Sequence, residues 1–246
     1  VPVKGTGPNG DVGYAEVPVQ LPHRILEFLI AECGLQIPDV LVKCYWQHLD
    51  DMSDEVAVNS RQFRAACSEP VWPLGIHGDE ASMQLNNAPY DAVYGIWLNL
   101  VLFRPKSTRL SRFLLCSVES TKMLTAEATL FPILEVLVNS LNLATESGAA
   151  GKRFICTELR GDQAWFRLLL RHKSWWIARN ICFRCQACTC KTSLNYLHYN
   201  GDWLNTLRTT RDVIIDEFPF PLCPLVDLYF FSVENIKHCT LHIVNL

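Results

Sequence analysis

The succession of apolar runs between residues 71 and 173 limits the folds open to this chain more than any other feature. Residues 71–77 form a short apolar run that ends at Gly78-Asp79. Residues 93–103, rich in Trp, Tyr, Val and Ile, form a second, closed by a turn at Pro105 and Ser107. Residues 112–118, with Phe113, Leu114, Leu115 and Val118, form a third. Runs of this length between turn residues predict β-strands. The period then changes. Thr125 is placed to cap a helix reaching Thr145, with Ile133, Leu134, Leu137, Val138 and Leu141 on one face and Pro132 expected to kink or reset it. Ser147-Gly148-Ala149-Ala150-Gly151 breaks that helix. Residues 153–159 predict a fourth strand ending at Gly161-Asp162, and Asp162 can cap a helix through Lys173 that carries Trp165, Phe166, Leu168, Leu169 and Leu170. The predicted order is strand, strand, strand, helix, strand, helix. Three consecutive strands make a meander, and a helical crossover adds a strand parallel to one already placed. The expected class is α/β with a mixed sheet.

Residues 1–69 predict a linker and helical lead-in, and residues 70–246 the main domain. Residues 1–20 read as loop. Pro22 opens a helical pattern over 21–32 with Ile25, Leu26, Leu29 and Ile30, and Gly34 ends it. Pro38 opens another over 40–49, and the acidic stretch from Asp50 to Glu55 reads as a solvated connection. With 49% hydrophobic and 19% charged residues, the chain has the composition of a globular protein with a sizeable core. No run of apolar residues long enough for a membrane span escapes interruption. Residues 1–14 lack the basic-then-apolar layout of a secretory signal, and the chain opens on Val1, as a piece of a longer product would.

Asp79 and Asp162 each follow a predicted strand, and each is preceded by Gly. Asp is common in turns and at helix N-caps, so either alone says little. A carboxylate at the C-terminal end of a strand, however, lies where open α/β sheets bind ligands. If the first and fourth strands are neighbours, the two carboxylates converge. Two such groups repel unless a cation joins them. Mg²⁺ or Mn²⁺ takes oxygen ligands, and a two-metal site can activate water or a 3′-hydroxyl in phosphodiester chemistry. His77 is placed to tune such a site, although a histidine in that position is more often a satisfied core or edge group.

The formal net charge of −3 argues against tight nucleic-acid binding, but the charge is unevenly spread. Residues 151–212 hold eleven Lys and Arg against four Asp and Glu. Within that block, Arg167, Arg171, Lys173, Arg179, Arg184 and Lys191 alternate with Trp165, Trp175 and Trp176. Basic side chains neutralise phosphates and exposed aromatics stack on unpaired bases. Trp165 falls on an apolar helix face and reads as core. Of the eleven cysteines, four crowd together as Cys182, Cys185, Cys188 and Cys190. Such spacing suits a structural Zn²⁺ in a reducing, intracellular compartment. Cys182 and Cys185 form the natural first pair; Cys188, Cys190, His198 or His172 would complete the set. Reduced, partly buried thiols are the plainer alternative.

The element order, with Asp at the first and fourth strands, resembles the ribonuclease-H-like fold. The stretch Gly161-Asp162-Gln163-Ala164-Trp165, followed by Cys182-Phe183-Arg184-Cys185, resembles a recurring segment of cut-and-paste DNA transposases, and Ile76-His77-Gly78-Asp79 resembles the segment around their first catalytic aspartate. The resemblance covers residues 70–246. It implies metal-dependent DNA strand cleavage and transfer, with Asp79 and Asp162 as catalytic ligands of Mg²⁺ or Mn²⁺, DNA as partner, and a nuclear location; self-association is left open. It also implies a third acidic residue on a late element. Glu234 is the candidate, with Asp227 beside it. The tail from His238 to Leu246 resembles a family segment of the form Asp-x-Leu-His, but Cys239 stands at the Asp position. The resemblance therefore points to a truncated or degenerate copy. The alternative is a non-catalytic, zinc-stabilised module that binds nucleic acid or protein.

Overall fold

The computed structural model describes residues 1–7, 9–82, 92–107, 111–174, 178–198 and 200–238. Its centre is a five-stranded mixed sheet. The strands are β3 (Trp72–Ser82), β4 (Ala92–Leu100), β5 (Arg112–Glu119), β6 (Phe154–Gly161) and β7 (Ile236–His238), in the spatial order β5-β4-β3-β6-β7. β3, β4 and β5 form the expected antiparallel meander, with Asp79 opposite Gly95 and Ile96 opposite Cys116. β6 returns parallel to β3, and β7 adds parallel to β6. β7 is too short to leave a pattern in the sequence.

The crossover from β5 to β6 is a π-helical turn, Ala126–Leu130, running into α4 (Phe131–Glu146). Thr125 caps the start by accepting from Ala128 N at 3.1 Å. Pro132 lies in the first turn of α4. It has no N–H to offer, so the helix is re-registered there, as its ring requires. The run Ala126–Glu146 is long and apolar enough to cross a membrane. In the fold its Ile133, Leu134, Leu137, Val138 and Leu141 are buried in the core.

The lead-in differs from the sequence expectation in two places. Residues 1–20 are not a loop: β1 (Pro2–Thr6) and β2 (Val12–Glu16) pair as an antiparallel hairpin. Val3 is buried, Thr129 Oγ1 donates to Lys4 O at 2.6 Å, and Gly5 bridges to Met123. Only glycine fits at position 5, because a Cβ there would lie 2.6 Å from Lys122 O. The second difference is α3 (Glu55–Ala66), which follows α1 (Pro22–Ala31) and α2 (Asp39–Asp51). Asp54 caps it through Val56 N at 3.0 Å, but only Val56, Ala57 and Ser60 are buried, so its apolar stripe is too narrow to read.

These lead-in elements share one hydrophobic core with the sheet. His23 pairs with Ser140 of α4 at 2.8 Å, the Tyr45 hydroxyl donates to Thr157 of β6 at 2.8 Å, and the Trp46 indole donates to Val71 O at 2.7 Å. The remaining α-helices among the described residues are α5 (Gln163–Leu170) and α6 (Thr210–Glu217), joined by a long, largely irregular segment that contains the clustered cysteines.

Candidate functional site

The site begins with register. β3 and β6 are adjacent and parallel, with Ile76 beside Leu159 and His77 beside Arg160. The pairing ends there, two residues short of Asp79 and of Asp162. β3 does not stop at Gly78 as its apolar run suggests. It continues to Ser82, so Asp79 lies within the strand, held in the ladder to β4. β6 also runs on to Gly161, and Asp162 follows as the N-cap of α5.

The two glycines have a shared cause. A Cβ on Gly78 would fall 1.9 Å from Cε2 of Trp165, and one on Gly161 would fall 2.4 Å from its Cδ1. The buried indole of Trp165 lies across both backbones and seats the first turn of α5 on the β3–β6 pair. A Cβ on Gly161 would also stand 3.0 Å from Gly78 O. The backbones preceding the two aspartates are thus in close contact. The Gly-Asp pairs are legible in the sequence, whereas nothing local shows that the Trp165 indole requires both glycines.

Each carboxylate is half used by its own backbone. Asp162 Oδ1 accepts from Trp165 N at 2.6 Å, and Asp79 Oδ1 accepts from Glu80 N at 2.9 Å. Asp79 Oδ2 stands 3.9 Å from His77 Nε2, and the Asp79 side chain is 43% exposed. His77 packs against Trp97, with ring centroids 5.6 Å apart. Burial lowers its pKa and the charge of Arg112 adds to that effect, while Asp79 opposes it. On the opposite face, Tyr94 stacks near Trp165 with centroids 6.0 Å apart. Burial raises the pKa of Tyr94, followed by the charge of Glu80 and a hydrogen bond to it, and by the charge of Asp162. Glu80, Tyr94, Trp165, Arg167 and Glu127 border an open cavity of about 580 Å³ there.

The third carboxylate is not brought to this end. Glu234 precedes β7, whose His238 pairs with Gly161, so it belongs to the far end of that strand. Its carboxylate accepts from Glu55 N at 2.8 Å and from Arg184 at 2.9 Å. Asp227 lies in a 3-10 turn (Pro224–Asp227) against α4, where its carbonyl accepts from Asn142 at 2.9 Å. Cys239 lies outside the described residues. Among the described residues no three His, Cys, Asp or Glu side chains gather as a metal would need.

The clustered cysteines divide into pairs rather than meeting at one point. Cys185 is buried, and burial pushes its thiol up to about 11. Cys188 is hydrogen-bonded to Cys190, which lowers its pKa. His198 is exposed, while His172 is buried against Phe183 at 5.2 Å. The expected basic interface is largely spent on the protein itself. Arg171 pairs with Glu127 and the carbonyls of Pro219 and Pro221; Lys173 donates to Asp216 O at 2.6 Å; Arg184 bonds Glu234; Arg179 donates to Cys190 Sγ at 3.1 Å. Arg167 borders the cavity and Lys191 is exposed. Trp165 is core, as expected; Trp175 and Trp176 lie outside the described residues. Comparison of the chain with protein-family models, curated proteins and solved structures found no match.

Proposed function

We propose that this chain carries a ribonuclease-H-like domain of the DNA transposase kind, in which Asp79 and Asp162 bind Mg²⁺ or Mn²⁺ beside a DNA phosphate. One observation carries the proposal: the first and fourth strands of the β3–β7 series are parallel neighbours whose pairing ends at His77 beside Arg160, two residues before each aspartate. The donor set fits a hard divalent ion. Each aspartate keeps one carboxylate oxygen outside its backbone hydrogen bond. Mg²⁺ commonly takes one or two protein carboxylates and completes its shell with water and phosphate. The cation would supply activation of water or a 3′-hydroxyl and stabilisation of the leaving oxygen. The chain's own part is positional. Trp165 fixes the spacing of the two backbones, and the Asp162 cap fixes its carboxylate at the first turn of α5.

A second reading, a non-catalytic interaction module, is favoured by a specific observation. No third carboxylate joins the pair among the described residues, and Arg171, Lys173, Arg179 and Arg184 are engaged in internal contacts. Mn²⁺ titration followed by electron paramagnetic resonance tests the site. Asp79→Asn and Asp162→Asn should each weaken binding about tenfold or more, by loss of a charged ligand. Asn at 162 keeps the helix cap, so a loss there is not a folding effect. Wild-type affinity in both variants would remove the site. Mn²⁺-dependent cleavage of a labelled oligonucleotide would select the enzyme reading, and binding without cleavage the module.

A further inference from the structure

Each cysteine pair of the irregular segment holds one buried and one half-buried thiol, Cys185 with Cys182 and Cys188 with Cys190, but the backbone and side chains around them differ. The turn carrying Cys182 and Cys185 is pinned from behind. Arg208 N donates to Arg184 O at 2.9 Å, and its guanidinium donates to Phe183 O. Cys188 and Cys190 instead line an open cavity of about 530 Å³, together with Arg179, Asn180, Gln186 and Ser193. Cys190 is half-buried, and its sulfur accepts from Arg179 Nε at 3.1 Å. The backbone around this pair is held firmly. Cys188 N donates to Leu194 O at 3.0 Å, Tyr196 N to Cys188 O at 3.1 Å, and Asn195 Nδ2 to Cys190 O at 2.6 Å.

We propose that Cys188 and Cys190 form a redox-active dithiol that exchanges with low-molecular-weight disulfides. Neighbouring sulfurs on a fixed backbone, opening on a cavity and met by a guanidinium, supply what exchange needs: access, a cation beside the attacking sulfur, and a resolving thiol. Cys190, as thiolate, attacks one sulfur of R–S–S–R; that S–S bond breaks and R–S⁻ leaves to take up a proton. The Cys188 thiolate then attacks Cys190 Sγ in the mixed disulfide, expelling the second R–S⁻. The protein loses two electrons and two protons as it closes a disulfide, and the co-reactant is reduced to two thiols. Arg179 thereby loses a thiol partner, which couples oxidation to the charge this cavity presents.

The test uses the full chain with oxidised glutathione, alkylation at timed intervals, and peptide mass spectrometry. The peptide bearing Cys188 and Cys190 should lose two hydrogens about tenfold faster than Cys182 and Cys185 become linked, because both sulfurs border the cavity and Arg179 meets Cys190. Cys188→Ser should stop at a mixed disulfide on Cys190, and Arg179→Gln should slow the first step by about threefold to tenfold while leaving circular dichroism unchanged. Oxidation that reaches Cys182–Cys185 first, or a wild-type mixed disulfide that never resolves, would overturn the proposal. So would a purified protein holding one Zn²⁺ per chain that loses it equally in Cys182→Ser and Cys190→Ser, because all four thiols would then be metal ligands.

Discussion

The carboxyl end of the sheet and the cysteine-rich segment are both candidate sites, and they are held in place by different physics. At the sheet end, strand register and close packing set the geometry: Gly78, Gly161 and the Trp165 indole leave no room for a side chain between them. The described residues of 178–208 have no ladder of that length. Their order comes from side chains reaching backbone carbonyls, such as Arg208 to Phe183 O and Asn195 to Cys190 O, and from the Arg208–Glu217 ion pair at 2.8 Å. Packing fails when volume changes, whereas polar anchoring fails when a partner is removed. The two regions should therefore respond to different mutations.

The largest effect is expected at the polar anchor. Arg208 and Glu217 have side chains only 18% and 8% exposed, and Glu217 also accepts from Ser174 N and Oγ. Glu217→Ala leaves a largely buried guanidinium with only the more distant, exposed Asp216 carboxylate at 3.7 Å and should cost about 3 kcal/mol. Urea denaturation would read the loss, and limited proteolysis should cut first within 178–208. A variant as stable as the wild type would mean that something other than this pair orders the segment.

Next comes packing. Gly78→Ala forces a methyl into the Trp165 ring and should cost about 2–3 kcal/mol, read by thermal unfolding. Gly201→Ala sharpens the contrast. Its Cβ would stand 2.5 Å from Trp203, a half-exposed side chain able to turn aside, so the cost should stay under about 1 kcal/mol. Equal losses at 78 and 201 would erase the distinction between the regions.

Helix caps offer a smaller, matched comparison. Asp162 caps α5 at the sheet end, and Thr209 caps α6 at the far side of the cysteine-rich segment, with Asp212 completing a capping box. Asp162→Ala and Thr209→Ala should each cost about 1 kcal/mol, and Asp162→Asn close to nothing. Denaturant midpoints would show it.

The smallest effect is a pH dependence. Burial lowers the pKa of His77, so the fold prefers the neutral ring. The unfolded chain takes the proton first as pH falls. The stabilisation is therefore complete above the unfolded value of about 6.5 and is lost as pH drops from there through the folded value. His77→Gln should flatten the stability profile between about pH 7 and pH 5. An unchanged slope would show that other groups set it.

Much of the sheet was legible because strands and crossover helices carry strong periods. Three strands, the Pro132 reset, the fourth strand and the Asp162 cap follow from local residue preferences. What escaped lacked a local signal. β7 is a three-residue strand that owes its place to Gly161 and its neighbours. The β1–β2 hairpin is a strand pair in a Gly/Pro-rich stretch, stabilised by contact with Met123 and Thr129. α3 buries too little to show a stripe. The basic block was visible as charge, but its use on carbonyls and carboxylates from residues 127, 216, 219, 221 and 234 was not.

By itself, the sequence determined the element order, the core face of α4, and the two Gly-Asp pairs, because these depend on residues near one another in the chain. Only the tertiary structure decided that β3 and β6 are neighbours, that one indole spans both glycines, and that of the four clustered cysteines Cys188 and Cys190 border a cavity with Arg179. Strand adjacency and sulfur surroundings are set by contacts between residues far apart in the chain. No local preference encodes which distant partner will win.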